Sequence, residues 1–151
     1  MINGVKIKKL KVIPDERGRL MEILRCDDEM FSKFGQVYMT TTYPRVIKGW
    51  HYHKIQDDHI TAISGMIKLV IYDMREDSPT RGELNEFFIG EHNLCIVKVP
   101  KGVVHGWKCI SLKEAIIINV VTEPYNYENP DEYRIPYNDK SIPYNWDIVM
   151  R

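Results

Sequence analysis

Gly49-Trp50-His51-Tyr52-His53, followed by Asp58 and Gly65 and, much later, by Pro100-Lys101-Gly102-Val103-Val104-His105, carries more information than any other part of this chain. In a strand, side chains two apart leave from the same face, so His51 and His53 are expected as a pair of imidazoles on one side. Such a pair can bind a ligand, take a proton or coordinate a cation. Ser64-Gly65 lies between two apolar runs and is expected as a tight hairpin, with Pro100-Lys101-Gly102 a turn ahead of His105.

Around this stretch, short β-rich runs recur between turn signals: Val5 to Val12, Gln36 to Thr42, Lys48 to His53, Ile60 to Ile63, Met66 to Tyr72, Leu94 to Val99, Val104 to Ile110 and Ala115 to Val121. That pattern predicts an all-β sandwich or jelly roll in a single domain. Ile60-Thr61-Ala62-Ile63 and Ile116-Ile117-Ile118 are expected as core strands without a functional role, and Asp15-Glu16-Arg17-Gly18 as a turn. Only Asp27 to Lys33 has a helical look. The jelly-roll core is expected over 1–122. From 123 to 151 the chain is rich in Pro and Tyr, which predicts a tail packed on the core, with Tyr125 and Tyr127 in a loop that covers the surface.

Length and composition limit the partners. The chain has 151 residues, 44% of them hydrophobic, which suits one domain with a real core. Its 21 basic and 21 acidic residues cancel, so no overall field draws it to nucleic acid or to an anionic membrane. No segment has the uninterrupted apolar length of a signal peptide core or a membrane span, which predicts a cytoplasmic protein. Cys26, Cys95 and Cys109 are widely spaced and odd in number, so buried free thiols are expected. Lys8, Lys9 and Lys11 are expected as a solvated strand edge.

The order His51-x-His53, Asp58, Gly65, then Pro100-x-Gly102-x-x-His105 resembles the two motifs of the cupin superfamily, with Asp in place of the usual Glu. In metal-dependent cupins these positions hold a divalent cation, so His51, His53, Asp58 and His105 form one candidate ligand set. The alternative is hydrogen bonding within the barrel, with the carboxylate fixing the tautomer of an imidazole.

Four further phrases extend the likeness up to about Trp146. Asp15-Glu16-Arg17-Gly18-Arg19-Leu20-Met21-Glu22, Val46-Ile47-Lys48-Gly49-Trp50-His51-Tyr52, Asp73-Met74-Arg75-Glu76-Asp77-Ser78-Pro79-Thr80-Arg81-Gly82 and Val99-Pro100-Lys101-Gly102-Val103-Val104-His105-Gly106-Trp107 resemble, in order, the signatures of the dTDP-4-dehydrorhamnose 3,5-epimerase family, a metal-free cupin branch. The resemblance implies a homodimeric jelly roll that uses no cofactor and binds a nucleotide-diphosphate sugar, a dTDP-linked 4-keto-6-deoxyhexose. By motif position, His51 stands for the base that removes a proton beside the keto group, and His105 for a histidine near the keto oxygen. Arg17 and Glu22 stand for residues that bind the nucleotide, and Gln36 for the start of a substrate-binding strand. Lys48 replaces a substrate-binding arginine, giving a point charge where the family has a two-pronged contact, and it is expected on the strand face opposite His51 unless a bulge intervenes.

The chain also departs from that pattern. The family's tyrosine acid falls by spacing from His105 on Ile118, which has no proton to give. Asp58 lies where the family carries an enolate-stabilising lysine, and no counterpart is visible for its C-terminal aspartate. Gly49-Trp50-His51-Tyr52-His53-Lys54 is similar as well to a phrase of the dTDP-4-keto-6-deoxyglucose 3,4-ketoisomerases, in which both histidines and a tyrosine of the preceding strand line the site; Tyr38 stands at that place. The expected site is therefore His51, His53, Asp58, His105 and Tyr38, serving an epimerase. The alternatives are a ketoisomerase of the same substrate class, a metal-dependent cupin enzyme and a cupin that binds sugar nucleotides without turning them over.

Overall fold

Alternating inward and outward side chains build two antiparallel sheets in the computed structural model, which describes residues 1–148; the end of the expected tail, 149–151, lies outside the described residues. The first sheet runs β1 (Lys6–Lys9), β9 (Cys95–Val99), β6 (Asp58–Ser64), β11 (Ala115–Val121), β4 (Gln36–Thr42). The second runs β12 (Tyr133–Arg134), β5 (Ile47–Tyr52), β10 (Val104–Cys109), β7 (Met66–Tyr72), β8 (Leu84–Gly90). A separate hairpin pairs β2 (Val12–Asp15) with β3 (Gly18–Met21). This is the jelly roll expected from the strand pattern, and no helix occurs among the described residues.

Several local expectations are corrected. Ser64-Gly65 is a corner and not a hairpin, because β6 belongs to one sheet and β7 to the other. Gly65 has φ +67°, and a Cβ there would lie 2.8 Å from the Glu114 carbonyl oxygen, so the corner has no space for a side chain. The Val5 to Val12 run splits into β1 and β2, since Leu10 turns out of line to pack with Met30 and Ile96. Asp27 to Lys33 is a series of turns; its carboxylates are occupied, Asp28 by Lys8 and the Arg25 N–H, Glu29 by Lys6 at 2.6 Å. Cys95 and Cys109 are buried, whereas Cys26 is exposed. Strands β3, β8 and β12 lay outside the predicted runs.

The space between the sheets is apolar over most of its length, filled by Ile60, Ala62, Leu69, Ile71, Val97, Ala115 and Ile117. Along the same inner faces the apolar series then stops. On β6, Ala62 and Ile60 give way to Asp58; on β11, Ala115 and Ile117 give way to Asn119; on β10, Cys109 gives way to His105. Burying such groups is costly unless they are hydrogen-bonded, so the change from apolar to polar marks where the core ends and a site begins. The tail seals the outer face of the second sheet, where Ile142 and Trp146 pack on Trp50, Val70 and Val104.

Candidate active site

At the polar end lies a cavity of about 650 Å³. His51 (β5), His105 (β10) and Trp107 (β10) form one wall, all from the second sheet. Gln36, Tyr38 and Thr40 of β4, Asp58 of β6 and Val121 of β11 form the facing wall, all from the first sheet. His53, just beyond β5, and Asp131, Glu132 and Arg134, in and before β12, complete it.

His51 and His105 are directly paired across β5 and β10, with ring centroids 6.2 Å apart. Two steps from His105, Trp107 pairs with Lys48, three steps from His51, so β5 carries a one-residue bulge. The bulge requires close backbones: a Cβ on Gly106 would lie 2.9 Å from the Gly49 Cα. Its effect is to turn Lys48 onto the same side as His51, which simple alternation does not allow. The ammonium donates to Thr40 Oγ1 at 2.8 Å and to the Thr41 carbonyl at 2.7 Å, and burial lowers its pKa.

Asp58 is the electrostatic centre. Only 1% exposed, it faces His105 Nε2 at 3.1 Å and His53 Nε2 at 3.4 Å through one oxygen, and accepts the Gln56 side-chain amide at 2.9 Å through the other. Burial opposes its charge, but the hydrogen bonds from His105 and His53 outweigh burial and hold the carboxyl well below the usual carboxylate range. His53 donates its Nδ1 proton to the Asp131 carbonyl, so Nε2 is left for Asp58; burial works against its charged form, yet the bond to Asp58 raises its pKa overall. His51 differs. Burial first, then the nearby His105, push it down to about 4, so its imidazole is neutral at pH 7 and can accept a proton.

The facing wall presents a hydroxyl. Tyr38 is 37% exposed along the cavity mouth, and its oxygen accepts the Asn119 amide at 2.8 Å. Burial, helped by the charge of Asp58, pushes its pKa up to about 12, so it is a neutral proton carrier at pH 7.

The sequence model of the dTDP-4-dehydrorhamnose 3,5-epimerase family matches residues 1–151. The chain belongs to this family. It is 42% identical over 151 residues to the spore coat polysaccharide biosynthesis protein SpsL of Bacillus subtilis, with all of both chains covered. To a probable low-salt glycan biosynthesis epimerase of Haloferax volcanii it is 45% identical, covering 99% of this chain and 97% of that one. Among solved structures, a dTDP sugar isomerase of Desulfovibrio desulfuricans superposes with a TM-score of 0.90 at 30% identity, covering 96% of this chain and 92% of the other.

Within this dTDP-sugar epimerase fold, the structure gathers His51, His53, Asp58, His105, Tyr38, Gln36 and Lys48 around one cavity. Two residues matched to nucleotide binding lie elsewhere in the single chain. Arg17 is at the hairpin tip, paired with Asp15 at 2.6 Å, and Glu22 pairs with Arg25 at 2.8 Å. Ile118 is not the inner position on β11: it pairs with Met39, which is 59% exposed, and so faces outward. The inner position is Asn119, which the sequence reading passed over. The tail was underestimated too, since β12 lies beside β5 and adds Glu132 and Arg134 next to His51, while Tyr125 lines the cavity and Tyr127 remains exposed.

The candidate four-ligand metal set divides. His53, Asp58 and His105 bring one ligand atom each within 4.8 Å of one another, and His51 is not in the group. Each of the two imidazoles turns Nδ1 to a backbone carbonyl, of Asp131 and of Val103, an arrangement that suits cation ligation as well as an ion-paired triad.

Proposed function

We propose that this protein epimerises a dTDP-linked 4-keto-6-deoxyhexose, with His51 as the base that removes the proton beside the keto group. The 4-keto group acidifies the adjacent C–H bonds, and a neutral imidazole in a dry wall suits their removal. His105, held by Asp58 and directly paired with His51, lies beside the developing enolate as part of its electrostatic surroundings, and His53 shares that carboxylate and steadies the wall. Lys48 offers its ammonium to an anionic part of the substrate. The single observation that carries the reading is the division of the cavity: imidazole base on one sheet, tyrosine hydroxyl on the other. Inversion needs a proton taken from one face and returned to the opposite one, whereas a ketoisomerase passing protons through an enediol needs no second wall. The core 1–122 and the tail 123–151 act as one unit, because the cavity takes side chains from both, and the reaction is assigned to the cytoplasm.

The active unit in this proposal is a homodimer. Val37 and Met39 expose 53% and 59% of their surface on the edge strand β4, and Ile13 and Leu20 expose 48% and 58% on the hairpin. These faces favour coverage by a second copy, whose hairpin would supply Arg17 and Glu22 to the nucleotide end.

Incubation with dTDP-4-keto-6-deoxyglucose in heavy water, read by NMR, tests the reaction. Deuterium at C3 and C5 with inversion is expected of a double epimerase; label at C3 alone means a single epimerase. A 3-keto product would show a ketoisomerase, and His51→Asn exchanging as fast as the wild type would sink the proposal.

A second reading rests on the His53, Asp58 and His105 cluster, which could hold a divalent cation that polarises the keto oxygen. It predicts that chelation abolishes exchange and that one added metal restores it. The epimerase proposal expects no effect of chelation.

A further inference from the structure

Asn119 interrupts the apolar series of β11 at an inward position, 1% exposed, directly opposite Tyr38 across the β11–β4 pairing. Its amide has one possible orientation. Oδ1 accepts the backbone N–H of His59 at 3.0 Å, so the NH2 group is the end that faces the Tyr38 oxygen at 2.8 Å. A phenol oxygen that accepts an N–H keeps its own O–H for another partner. Tyr38 lines the cavity, so that O–H is available to a substrate lying between Tyr38 and His51. The same N–H favours the phenolate, opposing the burial that raises the pKa of Tyr38.

We infer that Tyr38 is the acid that returns a proton to the sugar carbon on the face opposite His51, and that Asn119 is the positioning residue that aims its hydroxyl. This rests on the epimerase reading above and extends it to a residue pair on a different strand from position 118. The step balances. His51 takes the proton from the carbon, leaving an enolate and an imidazolium; the Tyr38 O–H bond breaks as the new C–H bond forms from the other side, giving the inverted ketone and a phenolate. Solvent at the cavity mouth reprotonates the phenolate and takes the proton from His51, with no change of oxidation level.

The test separates exchange from inversion in the full-length protein, using dTDP-4-keto-6-deoxyglucose in heavy water. In Tyr38→Phe, a change at a partly exposed ring, inversion is expected to fall on the order of 10²- to 10³-fold while His51 still exchanges deuterium into uninverted sugar. Asn119→Asp keeps an acceptor for the His59 N–H but gives the Tyr38 hydroxyl an acceptor in place of a donor, which sequesters its proton. There the ratio of inversion to exchange is expected to fall roughly tenfold. Should Asn119→Asp fold poorly, 3-fluorotyrosine at position 38 provides a second measurement: a more acidic phenol in an unchanged scaffold, expected to shift that ratio and leave exchange alone. Normal inversion by Tyr38→Phe overturns the acid assignment and leaves the epimerase reading standing. An equal fall of inversion and exchange in Asn119→Asp overturns the positioning role, and wild-type protein that neither exchanges nor inverts overturns both.

Discussion

The two walls of the cavity are built on different principles. The wall of the second sheet holds its imidazoles on consecutive same-side positions, His51 and His53, with His105 paired across the strand, and fixes two of them by ionic contact with Asp58. The first sheet supplies Asp58 to those imidazoles, but at Tyr38 the hydroxyl is held by no ion pair: it is aimed by a neutral amide that is itself fixed by a backbone N–H. The first arrangement suits taking up a proton and stabilising negative charge, and the second suits giving a proton away. Opposite chemistry on opposite sheets is what an inversion requires, and a sandwich provides it by facing two sheets across one space.

On the imidazole wall, the largest combined effect on stability and exchange should come from removing the anion on which that wall depends. Asp58→Asn keeps shape but leaves His53 and His105 facing a neutral amide in a buried place. Breaking a buried ion pair costs about 3 kcal/mol, so the melting temperature should fall by several degrees, and exchange should drop on the order of 10²-fold as the imidazoles beside the enolate lose their anchor. Calorimetry and deuterium exchange read the two losses separately. Unchanged exchange in a folded variant would mean that Asp58 holds the wall together without affecting its chemistry.

Acidity sharpens the same contrast. A base whose folded pKa is pushed down to about 4 stays neutral as pH falls from 7 to 5, so exchange per folded molecule should be nearly flat there and fall about tenfold per pH unit below 4. The sign follows from the direction of the shift: protonation removes the base. An exchange rate that halves near pH 6.5 would place the working base at an ordinary, solvated histidine value and count against His51.

How much of each wall was legible follows from the same difference. The imidazole wall is written in a period-two pattern with turn glycines at fixed places, and such local spacing survives in sequence. The bulge that brings Lys48 round is not written there, because it depends on Gly106 meeting Gly49 from a strand more than fifty residues away. The tyrosine wall left one faint mark: Asn119 is the lone polar residue in Ala115-Ile116-Ile117-Ile118-Asn119-Val120-Val121, on the parity of the core positions Ala115 and Ile117. Counting from His105 gives Ile118, one residue off, and a one-residue slip in a strand exchanges the inner face for the outer. Gly65 misled for a related reason, since a tight turn between apolar runs looks alike whether it closes a hairpin or crosses between sheets.

A smaller effect is expected at the hairpin, where neither wall is touched. Arg17→Ala removes a guanidinium that lies outside the cavity of its own chain and, in the homodimer proposed here, reaches the nucleotide of the partner's site. The apparent KM should rise roughly tenfold, as for loss of one charge-assisted contact, with kcat and the inversion-to-exchange ratio unchanged. A fall in kcat at saturating substrate would move Arg17 into the reacting end of the cavity.

The smallest change separates two adjacent positions on one strand. Ile118→Thr keeps a β-branched side chain on the outward face of β11, opposite Met39, so β propensity is retained and the cavity is untouched. Inversion and exchange should both stay within about twofold of wild type, although the neighbouring Asn119→Asp alters their ratio. A selective loss of inversion in Ile118→Thr would place the proton donor's support at 118 after all, and with it the strand register on which the two-wall description depends. An unchanged ratio would leave Asn119 as the β11 position that faces the sugar, in keeping with a proton donor on the neighbouring strand, where Tyr38 lies.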